Sequence, residues 1–124
     1  MNQPLTLCLY ERLLPGGQLV NRLQDMGYRV QSLADPAALV EQAEREKPLL
    51  VMADLEPRQD QVCEAIATLK KNSITNHIPV IAFASNHNAA ILEAARTAGA
   101  TLAVTDSAIL VHLDQFLEQA LQLD

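Results

Sequence analysis

Short apolar runs alternate with longer amphipathic stretches along this chain, five of each, and that alternation predicts βα units feeding a parallel sheet. The apolar runs are Leu5 to Tyr10, Tyr28 to Ser32, Leu49 to Ala53, Val80 to Ala84 and Thr101 to Val104. The third and fourth are almost continuously apolar, as central parallel strands covered by helices on both faces require. The first alternates more openly at Leu5, Leu7 and Leu9. Between the runs, Leu19, Leu23 and Met26, then Leu39 and Ala43, then Val62, Ile66 and Leu69 recur at helical spacing, each group marking a helix with one buried stripe. The last helix should bury Ile109, Leu113, Phe116, Leu117, Ala120 and Leu121 and expose Asp114, Glu118 and Gln122.

The boundaries carry their own signals. Asp35-Pro36 reads as a helix cap followed by a first-turn proline, Gly27 and Gly99 end helices, and Pro79 sits where a strand tolerates it. Lys70-Lys71 at a helix end complements the negative pole of the dipole. Pro15-Gly16-Gly17 lacks the lysine and glycine spacing of a phosphate loop and is expected to be a turn.

With 124 residues, 49% hydrophobic and 19% charged, the chain is expected to fold as one domain over residues 1–124, burying roughly two-thirds of its unfolded surface. A formal charge of −6 argues against nucleic acid and anionic membranes as partners. No run approaches a membrane span and Met1-Asn2-Gln3-Pro4 lacks a signal peptide's charged start, so a cytoplasmic location is expected. Cys8 and Cys63 lack metal or disulfide spacing and read as two buried thiols. His77, His87 and His112 fall in no ligand pattern, although His87 lies on the rim where a site would form. No nucleophile elbow, zinc pattern or dinucleotide fingerprint is present, which argues against an enzyme.

Five units, right-handed crossovers and this length make a flavodoxin-like (βα)5 doubly wound parallel five-stranded sheet of order 2-1-3-4-5 the leading α/β topology. Within it, three segments are specific: residues 47–57, where Asp54 closes the apolar run and Leu55-Glu56-Pro57 follows; residues 78–85, Ile78 through Ser85; and Ala98-Gly99-Ala100. Together they resemble the CheY-like receiver domain of two-component response regulators, over the whole span from Leu5 to Leu121.

The resemblance implies that Asp54 occupies the phosphoacceptor position, served in that family by a histidine kinase and Mg²⁺. It also implies departures. Tyr10-Glu11 stands where the family has a pair of metal-binding acids, leaving Glu11 and Asp54 as the ligands for a cation such as Mg²⁺. Ala84 replaces the hydroxyl residue at the end of the fourth strand, with Ser85 beside it, and Asp106 replaces the lysine after the fifth, next to Ser107. Ala103 replaces the aromatic switch residue. Residues 13–17 delay the first helix by about a turn, and Pro57 implies a loop shortened by one residue. Should Glu11, Asp54 and Asp106 converge, their repulsion must raise a pKa or recruit a cation.

So many departures imply a degenerate pseudo-receiver: a signalling and protein-interaction module independent of phosphorylation, with a histidine kinase or another regulator as partner. In the family, pairing runs through the fourth helix, fifth strand and fifth helix, which here implies a homodimer using the outward residues of 88–97 and 108–122, Glu93 and Arg96 among them. Two other readings stay open. One is a stand-alone response regulator phosphorylated on Asp54; the other is a binder of a small ligand or divalent cation at the acidic crevice.

Overall fold

The computed structural model describes residues 3–56, 58–85 and 88–121; the expectations attached to Pro57, His87 and Gln122 lie outside these residues. Strands β1 (Leu5–Leu9), β2 (Arg29–Leu33), β3 (Leu50–Asp54), β4 (Val80–Ala84) and β5 (Leu102–Thr105) alternate with helices α1 (Leu13–Asp25), α2 (Leu39–Glu46), α3 (Gln59–Lys71) and α4 (Ala89–Ala98), and α5 (Asp106–Val111) and α6 (Leu113–Leu121) close the chain. All pairings are parallel and the order is β2-β1-β3-β4-β5, as the alternation predicted. Asp35 accepts from the Ala37 N–H at 3.0 Å and opens a short 3₁₀ turn, Pro36–Ala38, ahead of α2. Gly27 and Gly99 take φ of 95° and 119°, the left-handed conformation that ends a helix most cheaply in glycine.

Two apolar layers flank the sheet. On one face Leu5, Leu7, Leu9, Val51, Ala53, Val80 and Ala82 meet Leu39, Val62, Ile66, Leu69 and Leu92 of α2, α3 and α4. On the other, Cys8, Leu50, Met52, Ile81 and Phe83 meet Leu19 and Leu23 of α1 and Ile109, Leu113 and Leu117 of α5 and α6. This parity places the site, because Asp54 continues the series Leu50, Met52 and points its carboxylate toward α1 and α5.

The structure revises several expectations. β1 is buried at all five positions, Thr6 included, because it lies between β2 and β3 under helices on both faces; the exposed edge is β2. Met26 falls off the buried stripe of α1 at 40% exposure. The last helix is two helices, with His112 leaving helical geometry at φ −113° and ψ 26° and its ring meeting Phe116 edge-on. Pro15, Gly16 and Gly17 belong to the body of α1; the break is at Leu14, whose φ of −118° and ψ of 121° delay regular helix to Pro15. Cys63 is half-buried, and only Cys8 is a core thiol. Lys70 is more than a solvated end residue, since its Nζ donates to the Ile78 carbonyl at 2.6 Å and pins the turn before β4.

Candidate functional site

The carboxyl ends of β1, β3 and β5 bring three side chains together. Asp54 ends β3 beside Phe83 of β4 and is 2% exposed. Asp106 is the first residue of α5, held there by the Thr105 hydroxyl, which accepts from the Ala108 N–H at 3.2 Å. Arg12, in extended backbone at the start of α1, lies between them. Its Nε and Nη2 donate to Asp54 Oδ2 and Oδ1 at 2.8 and 2.7 Å, and its Nη1 and Nη2 donate to Asp106 Oδ2 and Oδ1 at 2.9 and 3.1 Å. One planar guanidinium thus makes paired bonds to two carboxylates, the geometry that distinguishes arginine from lysine.

Burial pushes the Asp54 carboxyl above the usual carboxylate range, opposed by Arg12 and by the Glu56 N–H, which donates to Oδ1 at 3.0 Å; the Asp106 charge adds to the rise. The Asp54 hydrogen bond holds Arg12 even more firmly protonated than a free guanidinium. The cation that repulsion between the acids demanded is therefore supplied by the chain itself.

Glu11 does not join the two aspartates. Its Oε2 lies 2.8 Å from Arg58 Nε, and Arg58 also approaches Asp35 at 4.0 Å, so the expected three-acid pocket of Glu11, Asp54 and Asp106 is replaced by two separate ion-pair groups. Among the described residues no group of three or more His, Cys, Asp or Glu side chains is gathered as metal ligands. The donor set around Asp54 fits a guanidinium, and a hydrated Mg²⁺ would reach these oxygens only with Arg12 turned out.

Tyr10 is partly buried against the core. Gly16 lies so close under its ring that a Cβ there would sit 2.3 Å from Tyr10 Cδ2. Ala84 is buried in the layer under α3 and α4, and Ala103 is 4% exposed with its carbonyl accepting from Arg96 Nη2 at 2.9 Å. Ser85, just past β4, donates its N–H to Glu56 Oε2 at 2.6 Å. Ser85, Asp106 and Ser107 form one wall of a groove of about 420 Å³, and Leu14, Pro15, Gln18 and Leu110 form the rest.

Sequence reasoning missed Arg12 and the role of Glu56. Arg12 had a readable signal: it is the cation next to Glu11, just past the first apolar run. Glu56 gave no signal, because its partner is a backbone amide 29 residues away.

The chain superposes on the receiver domain of a sensor histidine kinase from Pseudomonas aeruginosa PAO1 with a TM-score of 0.85, at 19% identity over 97% of this chain and 98% of that one. This is the receiver fold. The same fold relates it to the signal receiver domain of a histidine kinase from Syntrophus aciditrophicus (TM-score 0.76, 17% identity, 98% and 95% of the two chains). It relates it also to the chemotaxis response regulator CheY4 of Vibrio cholerae (TM-score 0.74, 16% identity, 92% and 98%). No protein-family model and no curated protein sequence matches the chain. The Pseudomonas receiver is described with magnesium coordinated in its active-site cleft. Among the described residues no helix is long and apolar enough to cross a membrane.

Proposed function

We propose that this chain is a receiver-like signalling and protein-interaction module whose phosphoacceptor position is closed by Arg12. The observation that carries the reading is the paired contact of Arg12 with both oxygens of Asp54. Phosphoryl transfer to a carboxylate needs an ionised oxygen free to attack in line, a divalent cation to neutralise the incoming charge, and a donor for the equatorial oxygens. Here both oxygens of Asp54 are occupied, the acid beside Tyr10 is held by Arg58, and Asp106 brings a negative charge to the point where phosphate would arrive. A hydrogen bond to a charged partner contributes about 1.5–3 kcal/mol, so the absent lysine alone weakens phosphoryl stabilisation roughly 10- to 150-fold.

Output then rests on surface rather than on phosphorylation, with another signalling protein, such as a histidine kinase or regulator, as the class of partner. Glu93 and Arg96 on α4 pair with each other at 2.9 Å and are 70% and 50% exposed, a contact weak enough to be exchanged for a partner's charges. Receivers solved with Mg²⁺ and with Mn²⁺ share the fold, and a divalent cation would bind this chain by displacing Arg12.

Incubation with acetyl phosphate and Mg²⁺, followed by intact-mass measurement, tests the reading. The wild-type chain is expected to keep its mass. A Mg²⁺-dependent gain of one phosphate, lost in Asp54→Asn, would favour the phosphorylated regulator instead.

A further inference from the structure

Glu56 follows β3, two residues after Asp54, and its carboxylate crosses the rim to Ser85, just past β4. Oε2 accepts from the Ser85 N–H at 2.6 Å, while the Glu56 N–H donates to Asp54 Oδ1 at 3.0 Å. The residue thus ties Asp54 at the end of β3 to Ser85 just past β4 through one backbone and one side-chain bond. Ser85 follows the last residue of β4 that pairs with β5, so its N–H lies beyond the ladder. An amide there must find an acceptor elsewhere or face water. The ionised carboxylate is favoured first by that amide, and further by the Ser85 and Asn88 side chains and the Arg12 charge, which together outweigh partial desolvation.

We propose that Glu56 is a resident anion: its carboxylate fills, within the chain, an oxyanion position formed by the Ser85 N–H and neighbouring donors, and so holds Ser85 at the end of β4 without any bound ligand. With Glu56 and the Glu11–Arg58 pair, the rim carries four carboxylates (Glu11, Asp54, Glu56 and Asp106) against two guanidiniums (Arg12 and Arg58). A free anion entering there meets net repulsion. A carboxylate attached two residues from Asp54 arrives at high effective concentration and needs no diffusional encounter. One consequence reaches the groove between α1 and α5, whose wall includes Ser85 and Asp106: both of these residues are held by the chain's own ions.

The inference deepens the reading of a closed, ligand-independent rim, yet it fails separately. Phosphate uptake on Asp54 would overturn that reading and leave Glu56 to be judged by its own experiment, which is chemical rescue of Glu56→Ala. Melting temperature and the ¹H–¹⁵N signal of Ser85 are followed with sodium acetate and, at equal ionic strength, sodium chloride. Glu56→Ala should melt several degrees below wild type with its Ser85 signal shifted, and acetate should restore both saturably while chloride does not and wild type stays unchanged. Acetate no more effective than chloride, or a Ser85 signal already at its wild-type position in Glu56→Ala, overturns the inference. Should that variant fail to fold, Glu56→Gln keeps the shape and removes the charge. A displaced Ser85 signal then supports the resident anion, and an unmoved one contradicts it.

Discussion

Arg12 decides the charge balance of the rim, and its removal should be more costly than that of either acid it holds. Arg12→Ala leaves Asp54 at 2% exposure without a counter-ion and close to Asp106. Breaking a buried ion pair by removing one partner costs about 3–5 kcal/mol; with the Arg12 side chain 26% exposed, about 2–3 kcal/mol is expected, a fall in Tm of about 10 °C. The pH dependence has a definite sign. Burial already holds the Asp54 carboxyl above its ordinary value, and losing Arg12 raises it further. A carboxyl raised in the folded state gives stability that falls as pH rises from the ordinary carboxylate range through the folded value. The deficit of Arg12→Ala against wild type should therefore be larger at pH 7 than at pH 4 in denaturant titrations. Burial raises both thiols: it pushes buried Cys8 up to about 12, and it raises half-buried Cys63 as well, with the Asp60 charge adding to the rise. Since the thiolate is the reactive form, Cys63 should modify slowly at pH 8 and Cys8 only on unfolding, as mass spectrometry with iodoacetamide would read. At this scale Asp54 was legible, because a carboxylate closing an apolar strand is conspicuous, whereas Glu11 was misplaced and the role of Glu56 was missed. The partner of Asp54 was not legible, because an arginine in a loop has no pattern until the fold says which side chains it faces.

Among elements, the β1–α1 junction is the one whose composition steric fit explains most directly. The ring of Tyr10 occupies the space over Gly16, so the delayed helix, the glycine and the aromatic form one unit. Gly16→Ala should cost about 1–3 kcal/mol, the usual penalty of overpacking, and Tyr10→Ala in the same chain should recover most of it in a double-mutant cycle. Additive effects would show that the ring does not set the requirement. The strands and helices were readable because burial imposes periods of 2 and 3.6 on the sequence, and β4 fell on the predicted residues from Val80 to Ala84. The break at His112 was not readable, since the apolar stripe from Ile109 to Leu117 runs through it at helical spacing and neither Gly nor Pro marks it.

For the molecule as a whole, five alternating units, right-handed crossovers and chain length made the observed sheet order the leading topology, and sequence identity to solved response regulators and receivers of this fold is only 14–22%. The fold places its chemistry at the carboxyl ends of the strands, and there this chain has set internal ions: Arg12 between two aspartates and Glu56 on Ser85. Tolerance to substitution should follow that division. Phe83→Ala, in the layer beneath the site, is expected to lose about 3–5 kcal/mol in urea denaturation, while changes at the exposed pair Glu93 and Arg96 stay within about 0.5 kcal/mol. The central claim, that Arg12 is the cation of the site, is tested most directly by the ¹H–¹⁵N signal of the Arg12 Nε–H, titrated with millimolar Mg²⁺ and then acetyl phosphate. A resolved, slowly exchanging signal that holds its position throughout is the predicted result. Its collapse to the position of a free arginine side chain, with parallel shifts at Asp54 and Asp106, would show that the guanidinium gives way and that the site still takes external ions.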